Sequence, residues 1–174
     1  YEDPELFLEQ LVWPQPCVLL LDIRMPKLSG LEVQKTLNER GIPIPIVFIT
    51  GHGDVTLAVE TMKNGAVDFL EKPFDEGKIK DLIHQHMRHA HELAQTAKLD
   101  EQINKLYSKL TTRELQVLER IVSGRLNKQI ADDLNISIKT VEAHRANIMD
   151  KLQVTTVADL LKIALRKSPE LAQP

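Results

Sequence analysis

The stretch Leu20-Leu21-Asp22-Ile23-Arg24-Met25-Pro26-Lys27-Leu28-Ser29-Gly30-Leu31 decides the fold of the first half of the chain. It opens on the end of a continuous apolar run, residues 17–21, that stops at an acid. Two further runs behave alike: residues 44–49 close on Thr50, and residues 67–70, interrupted only by Asp68, close on Glu71-Lys72-Pro73. Unbroken apolar runs, rather than alternation, mark strands buried on both faces, as in a parallel sheet. Helical patterns fill the gaps. Residues 31–40 form one, with Gly41 as its stop; residues 55–63 form the other, with Leu57, Ala58, Val59 and Met62 apolar and Gly65 beyond. The order β-α-β-α-β implies an α/β sheet with right-handed crossovers. Its functional crevice belongs at the carboxyl ends of the strands. Asp22, Thr50 and Lys72 stand there as an acid, a hydroxyl and an amine. Polar groups also begin wherever burial stops, so spacing alone leaves strand termination open as the simpler explanation.

Ahead of this core, residues 4–11 read as a helix with Asp3 as its N-cap. The 174 residues are 43% apolar and 27% charged, the balance of a globular chain rather than a low-complexity or collagen-like one. A single cysteine, Cys17, excludes an intramolecular disulfide and fits a reducing, cytoplasmic setting. No apolar run approaches the ~18 residues of a membrane helix, so no membrane partner is expected. The chain opens on Tyr1 without a signal-peptide pattern, which reads as a fragment rather than a natural start.

The net charge of −3 is unevenly spread: −5 over residues 1–80, −1 over 81–108 and +3 over 109–174. An acidic first part joined to a basic last part points to different partners at the two ends, phosphate backbones being one candidate for the basic end. From Asp75 to Ser108 the chain has no proline and one glycine. Ile79, Leu82, Ile83, Met87, Ala90, Leu93 and Ala97 recur at helical spacing, and Leu99, Ile103, Leu106 and Leu110 continue it, with a phase break near 97–99. His84, His86, His89 and His91 cluster on this stretch. Their i,i+3 and i,i+7 spacings lack the i,i+4 pair that metal ligation on a helix favours, so a solvated face outweighs a metal site or a pH sensor.

The last part reads as four short helices. Thr111-x-x-Glu114 is a capping box for residues 112–123, with Leu115, Leu118, Ile121 and Val122 as the apolar stripe and Gly124 as the stop. Asn127 caps a second helix ending at Leu134, Ser137 a third over residues 138–152, and Thr156 a fourth. Asn135-Ile136-Ser137 is the tight connection of a helix-turn-helix. On a helical wheel the third helix turns Val141, Ile148 and Leu152 inward, with Ile138 and Met149 beside them. Lys139, Thr140, Glu142, Ala143, Ala146 and Asn147 face outward, and His144 and Lys151 flank. Small and polar residues edged with bases suit a major groove. Glu142 would accept from a cytosine amino group, and Ala143 or Ala146 would touch a thymine methyl. Lys139, His144, Lys151 and the head of Arg145 would position on phosphates. An ordinary amphipathic helix would give the same wheel.

The residues around these features add a resemblance. The stretch 20–31 resembles the phosphoacceptor strand and loop of bacterial two-component receiver domains. Ile49-Thr50-Gly51-His52-Gly53-Asp54 and Gly65-Ala66-Val67-Asp68-Phe69-Leu70-Glu71-Lys72-Pro73-Phe74 resemble the fourth and fifth strands of that family with their loops. The resemblance implies a flavodoxin-like α/β receiver in which Asp22 takes a phosphoryl group and Lys72 and Thr50 sense it. Phe69 would then swing inward, reshaping an output face, and Lys72-Pro73 would be cis. It also implies Mg²⁺, held by Asp22, the Arg24 carbonyl and a pair of acids ending a first strand. No such strand or pair is recognisable before Cys17, so the receiver is expected to be partial, its first two strands and acidic pair missing.

The strings Leu110-Thr111-Thr112-Arg113-Glu114, Gly124-Arg125-Leu126-Asn127-Lys128-Gln129-Ile130-Ala131 and Ile136-Ser137-Ile138-Lys139-Thr140-Val141-Glu142-Ala143-His144-Arg145-Ala146-Asn147-Ile148 resemble the LuxR-type helix-turn-helix, with the motif from Asn127 to Ala146. Leu126 departs from it, since the family often has Ser there. Together the two halves resemble the FixJ branch of the NarL/FixJ response regulators. The expected organisation is a partial receiver over 1–84, a helical linker over 85–108, an all-α DNA-binding domain over 109–168 and a tail over 169–174. The implied partners are a sensor histidine kinase, double-stranded DNA, a second copy once Asp22 is phosphorylated, and RNA polymerase. The rival reading is a phosphorylation-independent DNA-binding regulator whose receiver serves only as a protein-interaction module. An enzyme is not expected: a haloacid-dehalogenase-type phosphatase would want a second acid where Arg24 stands.

Overall fold

The computed structural model describes residues 1–51 and 55–167. Two compact units divide the chain, Tyr1–Lys98 and Leu99–Pro174.

The first unit holds α1 (Pro4–Gln10), β1 (Leu19–Asp22), α2 (Gly30–Glu39), β2 (Ile46–Thr50), α3 (Val55–Lys63), β3 (Asp68–Glu71) and the greater part of α4 (Glu76–Tyr107). The sheet is parallel throughout in the order β1-β2-β3, with Leu21 opposite Phe48 and Phe48 opposite Phe69. Each strand starts one or two residues later than its apolar run and ends on the polar residue that closes it. The central strand β2 buries Ile46, Val47 and Phe48 in succession, which only a sheet covered on both faces does. Leu8 of α1 and Val33 and Leu37 of α2 pack with Ile46 and Phe48 on one face.

Local chemistry explains the helix ends. Asp3 accepts from the N–H groups of Glu5 and Leu6 at the head of α1. Ser29 and Glu32 form a capping box that starts α2 one residue earlier than periodicity suggested. The apolar residues of α3 do not share one face inward: Ala58 and Thr61 are buried, while Val59 and Met62 are exposed. The peptide bond Lys72-Pro73 is cis, as the receiver resemblance implied.

The helix α4 runs unbroken past the expected phase break. Residues 97–99 mark instead where one unit gives way to the other, between Lys98 and Leu99. Ala90 and Ala94 are buried before that point and Ile103 after it, whereas Leu99, expected in the stripe, is exposed.

The second unit adds α5 (Thr112–Val122), α6 (Asn127–Leu134), α7 (Ile138–Lys151) and α8 (Val157–Lys167) to the end of α4. Its core joins Val117, Leu118, Ile121, Ile130, Leu134, Val141, Ile148, Leu152 and Leu160. Three expectations are corrected. Val117, not Leu115, completes the inner stripe of α5; Leu115 is exposed. Ile138 is also exposed, because the first turn of α7 stands clear of the core that begins at Val141. Asn127 is the first residue of α6 rather than its cap: Leu126 occupies the N-cap and offers no side-chain acceptor. The Gln129 Oε1 accepts from the Leu126 N–H at 2.9 Å, so half of a capping box survives. The C-cap of α6, Asn135, takes the left-handed conformation (φ 52°) that turns the chain into α7.

Candidate functional site

In the first unit, ladder hydrogen bonds gather the three strand ends. The Ile23 N–H donates to the Ile49 carbonyl, and the Lys72 N–H donates to the Thr50 carbonyl. The Lys72 Nζ thereby reaches the Asp22 Oδ2 at 2.5 Å. The other carboxylate oxygen of Asp22 accepts from the Arg24 N–H at 3.1 Å. Partial burial raises the Asp22 pKa, but Lys72 and the N–H groups of Arg24 and Ile23 outweigh it and hold the carboxyl below its ordinary value. Asp22 is therefore ionised at neutral pH, the form in which an oxygen can attack phosphorus. Thr50 is buried at the end of β2. His52, Gly53 and Asp54 of the matching loop lie outside the described residues.

Gly30 was not singled out from the sequence, yet it shapes this loop. Its N–H donates to the Ile23 carbonyl, and a Cβ there would stand 2.3 Å from the Asp22 carbonyl oxygen. The signal was present as a glycine directly after the cap residue Ser29. Phe69 is 48% exposed and points outward, lining a groove of about 410 Å³ with Thr50, Ala58, Val59, Met62 and Lys63.

Receiver domains as a family use Mg²⁺ for phosphorylation. The described residues do not fit such an ion by themselves. Mg²⁺ wants near-octahedral oxygen ligands. No group of three or more His, Cys, Asp or Glu side chains that could hold a metal occurs among the described residues, and both oxygens of Asp22 are already engaged. The same holds for the histidines of α4. Of these, His84, His89 and His91 are exposed, and His86 faces Asp68 at 3.5 Å.

In the second unit, α7 presents Lys139, Thr140, Glu142, Ala143, Ala146 and Asn147 to solvent on one side, with His144 and Arg145 half-buried at its flanks. Val141 and Ile148 are fully buried on the other side. Ser137 caps the helix by accepting from the Thr140 N–H. This is the division of faces a groove-reading helix needs. Lys151 departs from the expected set. Its Nζ donates to both carboxylate oxygens of Glu114, at 3.0 and 2.7 Å, so it holds α7 to α5 rather than standing free for phosphate. Glu114 is 3% exposed, and its Oε2 also accepts from the Thr111 N–H. The capping-box motif flagged Glu114, but not its burial or its cation.

Known proteins match both units. The family described as response regulator receiver domain matches residues 1–84, and that described as bacterial regulatory proteins, luxR family, matches residues 108–164. The transcriptional regulatory protein FixJ of Bradyrhizobium diazoefficiens is 40% identical over 166 residues, 95% of this chain and 81% of the relative. The response regulator protein TodT of Pseudomonas putida is 44% identical over 153 residues, 88% of this chain and 67% of the relative. The solved structure of the response regulator StyR is 43% identical and superposes with a TM-score of 0.75, over 94% of this chain and 83% of that one. With a flavodoxin-like receiver fold in one unit and a LuxR-type helix-turn-helix in the other, the chain belongs to the NarL/FixJ family of two-component response regulators, which are DNA-binding transcription regulators.

Proposed function

We propose that Asp22 is the phosphoacceptor and that its phosphorylation controls DNA binding by α7. The observation that carries this reading is the Asp22–Lys72 pair beside Thr50 at three adjacent strand ends. A sensor histidine kinase supplies the phosphoryl group in this reading. An Asp22 oxygen forms the new O–P bond as the donor P–N bond breaks, and the imidazole keeps the electron pair and takes up a proton. Lys72 then exchanges a carboxylate partner for phosphate oxygens, and Thr50 donates its hydroxyl to another. Phe69 follows Thr50 into the groove, and the reshaped face recruits a second copy. Two recognition helices meet paired half-sites, and one bound half-site raises the effective concentration of the other unit. Lys139, Thr140, Glu142, Ala143, His144, Arg145, Ala146 and Asn147 are the proposed DNA-facing residues. RNA polymerase is the proposed downstream partner and the cytoplasm the proposed location. Residues 85–108 serve as the helical linker in this scheme, between a receiver over 1–84 and a DNA-binding domain over 109–168, and Asp22 acts as an acceptor rather than as the nucleophile of a hydrolase.

Phosphoryl incorporation from a small phosphodonor tests the first half. The wild-type chain labels and Asp22→Asn does not; equal labelling of the two refutes Asp22 as acceptor. A gel shift with Lys139→Ala plus His144→Ala tests the second half, and unchanged affinity would sink the assignment of α7. The rival reading is DNA binding that ignores phosphorylation. DNA affinity indifferent to the phosphodonor would decide for that rival.

A further inference from the structure

We infer that Lys151 and Glu114 form a clamp that positions the recognition helix, and that Lys151 makes no phosphate contact. The inference rests on the reading of α7 as the DNA-contacting helix. Lys151 is the last residue of α7, one residue before the buried Leu152. Its ammonium spends two of three donors on one carboxylate. That carboxylate is itself fixed, because Glu114 closes the capping box of α5: its Oε2 accepts from the Thr111 N–H, and its own N–H donates to the Thr111 Oγ1. Glu114 thus caps one helix and tethers the far end of another. Ser137 and the buried side chains of Val141 and Ile148 hold the rest of α7, and the Lys151–Glu114 pair adds charge-assisted hydrogen bonds at its last residue. A cation held this way is costly to release, since leaving would strand a buried carboxylate.

The two roles separate in a salt titration. A phosphate contact adds about 0.9 to the slope of log affinity against log salt, whereas a positioning residue adds nothing to it. Fluorescence anisotropy is run on the full chain with two probes: a duplex selected from a random pool by the wild-type chain, and an unselected duplex of equal length. Lys151→Met is expected to leave the salt slope unchanged and to cut the preference for the selected duplex about tenfold, the size of one lost base contact. Glu114→Gln, which keeps the capping acceptor and loses the charge, is expected to do the same. The double variant is no worse than either single one, and Lys151→Arg recovers the preference. Lys139→Ala serves as the contrast that lowers the slope. A Lys151→Met slope reduced like that of Lys139→Ala overturns the clamp while leaving DNA binding intact, as do additive losses in the double variant. A wild-type chain without preference between the duplexes fells the DNA reading and the clamp with it. Should Glu114→Gln fail to fold, the Lys151→Met and Lys151→Arg pair still decides.

Discussion

Leu126 stands where α6 needs a hydrogen-bond acceptor, and replacing it with Ser should repair the helix. The backbone is already in the extended N-cap conformation (φ −74°, ψ 155°), so Ser enters without rearrangement. Its hydroxyl would accept from the Gln129 N–H, completing the box of which the Gln129 Oε1 to Leu126 N–H bond is the standing half. A side-chain cap is worth about 1 kcal/mol over Ala. Against this, Leu126 is 70% exposed, so less than a third of its apolar surface is lost. At about 1.5–3 kcal/mol for full burial, that loss costs roughly 0.5–0.9 kcal/mol. The two terms nearly cancel in Leu126→Ser against the wild type. They separate in Leu126→Ser against Leu126→Ala, where the apolar loss is common to both. The Ser variant should be more stable by about 1 kcal/mol, or about 4–8 °C in melting temperature for a unit of this size. Thermal unfolding of both variants, followed by circular dichroism at 222 nm, measures the difference. A Ser variant no more stable than the Ala variant would refute the claim that α6 lacks only a cap acceptor.

Two other perturbations test the acceptor loop and the buried acid. Gly30→Ala should destabilise the first unit by about 1–3 kcal/mol and lower labelling of Asp22, because the new methyl meets backbone at the Asp22 carbonyl rather than a movable side chain; a melting temperature equal to wild type would contradict it. The second concerns acid. Burial raises the Glu114 pKa, yet Lys151 and Thr111 more than offset it, so the folded carboxyl lies below its unfolded value. Its contribution is complete above the unfolded pKa and is lost as pH falls through the folded one. Melting of the wild type should therefore drop, as pH falls below the ordinary glutamate range, more steeply than that of Glu114→Gln. Parallel curves would remove Glu114 from the acid response.

Much of this was legible because the deciding signals were local. Asp22 and Thr50 could be placed at strand ends since each directly closes an apolar run, and Lys72 since it follows a third run that only Asp68 interrupts; a parallel sheet then leaves those ends one place to meet. The caps at Asp3, Thr111 and Ser137 were equally local. What escaped depends on distant partners. Val59 and Met62 fit the period of a buried stripe, but nothing in their spacing shows that β3 leaves a groove beside them. Leu115 and Val117 compete for the inner face of α5, and the contact with α7 and α8 settles it for Val117. The fate of Lys151 was invisible for the same reason: a wheel shows which way a lysine projects, not that a carboxylate 37 positions earlier waits there. Gly30 shows a third kind of blindness, since close approach of two backbone segments leaves no mark except the missing side chain.

The strict partition of α7 has an evolutionary consequence. Its inner residues are shared with three other helices, so their identities are constrained by the whole unit. Glu142, Ala143, Ala146 and Asn147 are exposed on its outer side, and exchanging such exposed side chains typically shifts stability by no more than about 0.5 kcal/mol. Glu142, Ala143, Ala146 and Asn147 can thus be rewritten at almost no structural expense. If the outer face of α7 reads DNA as proposed, a duplicated copy of this chain acquires a new set of target genes through a few codons on one helix face, while the buried residues that fold the unit stay as they are.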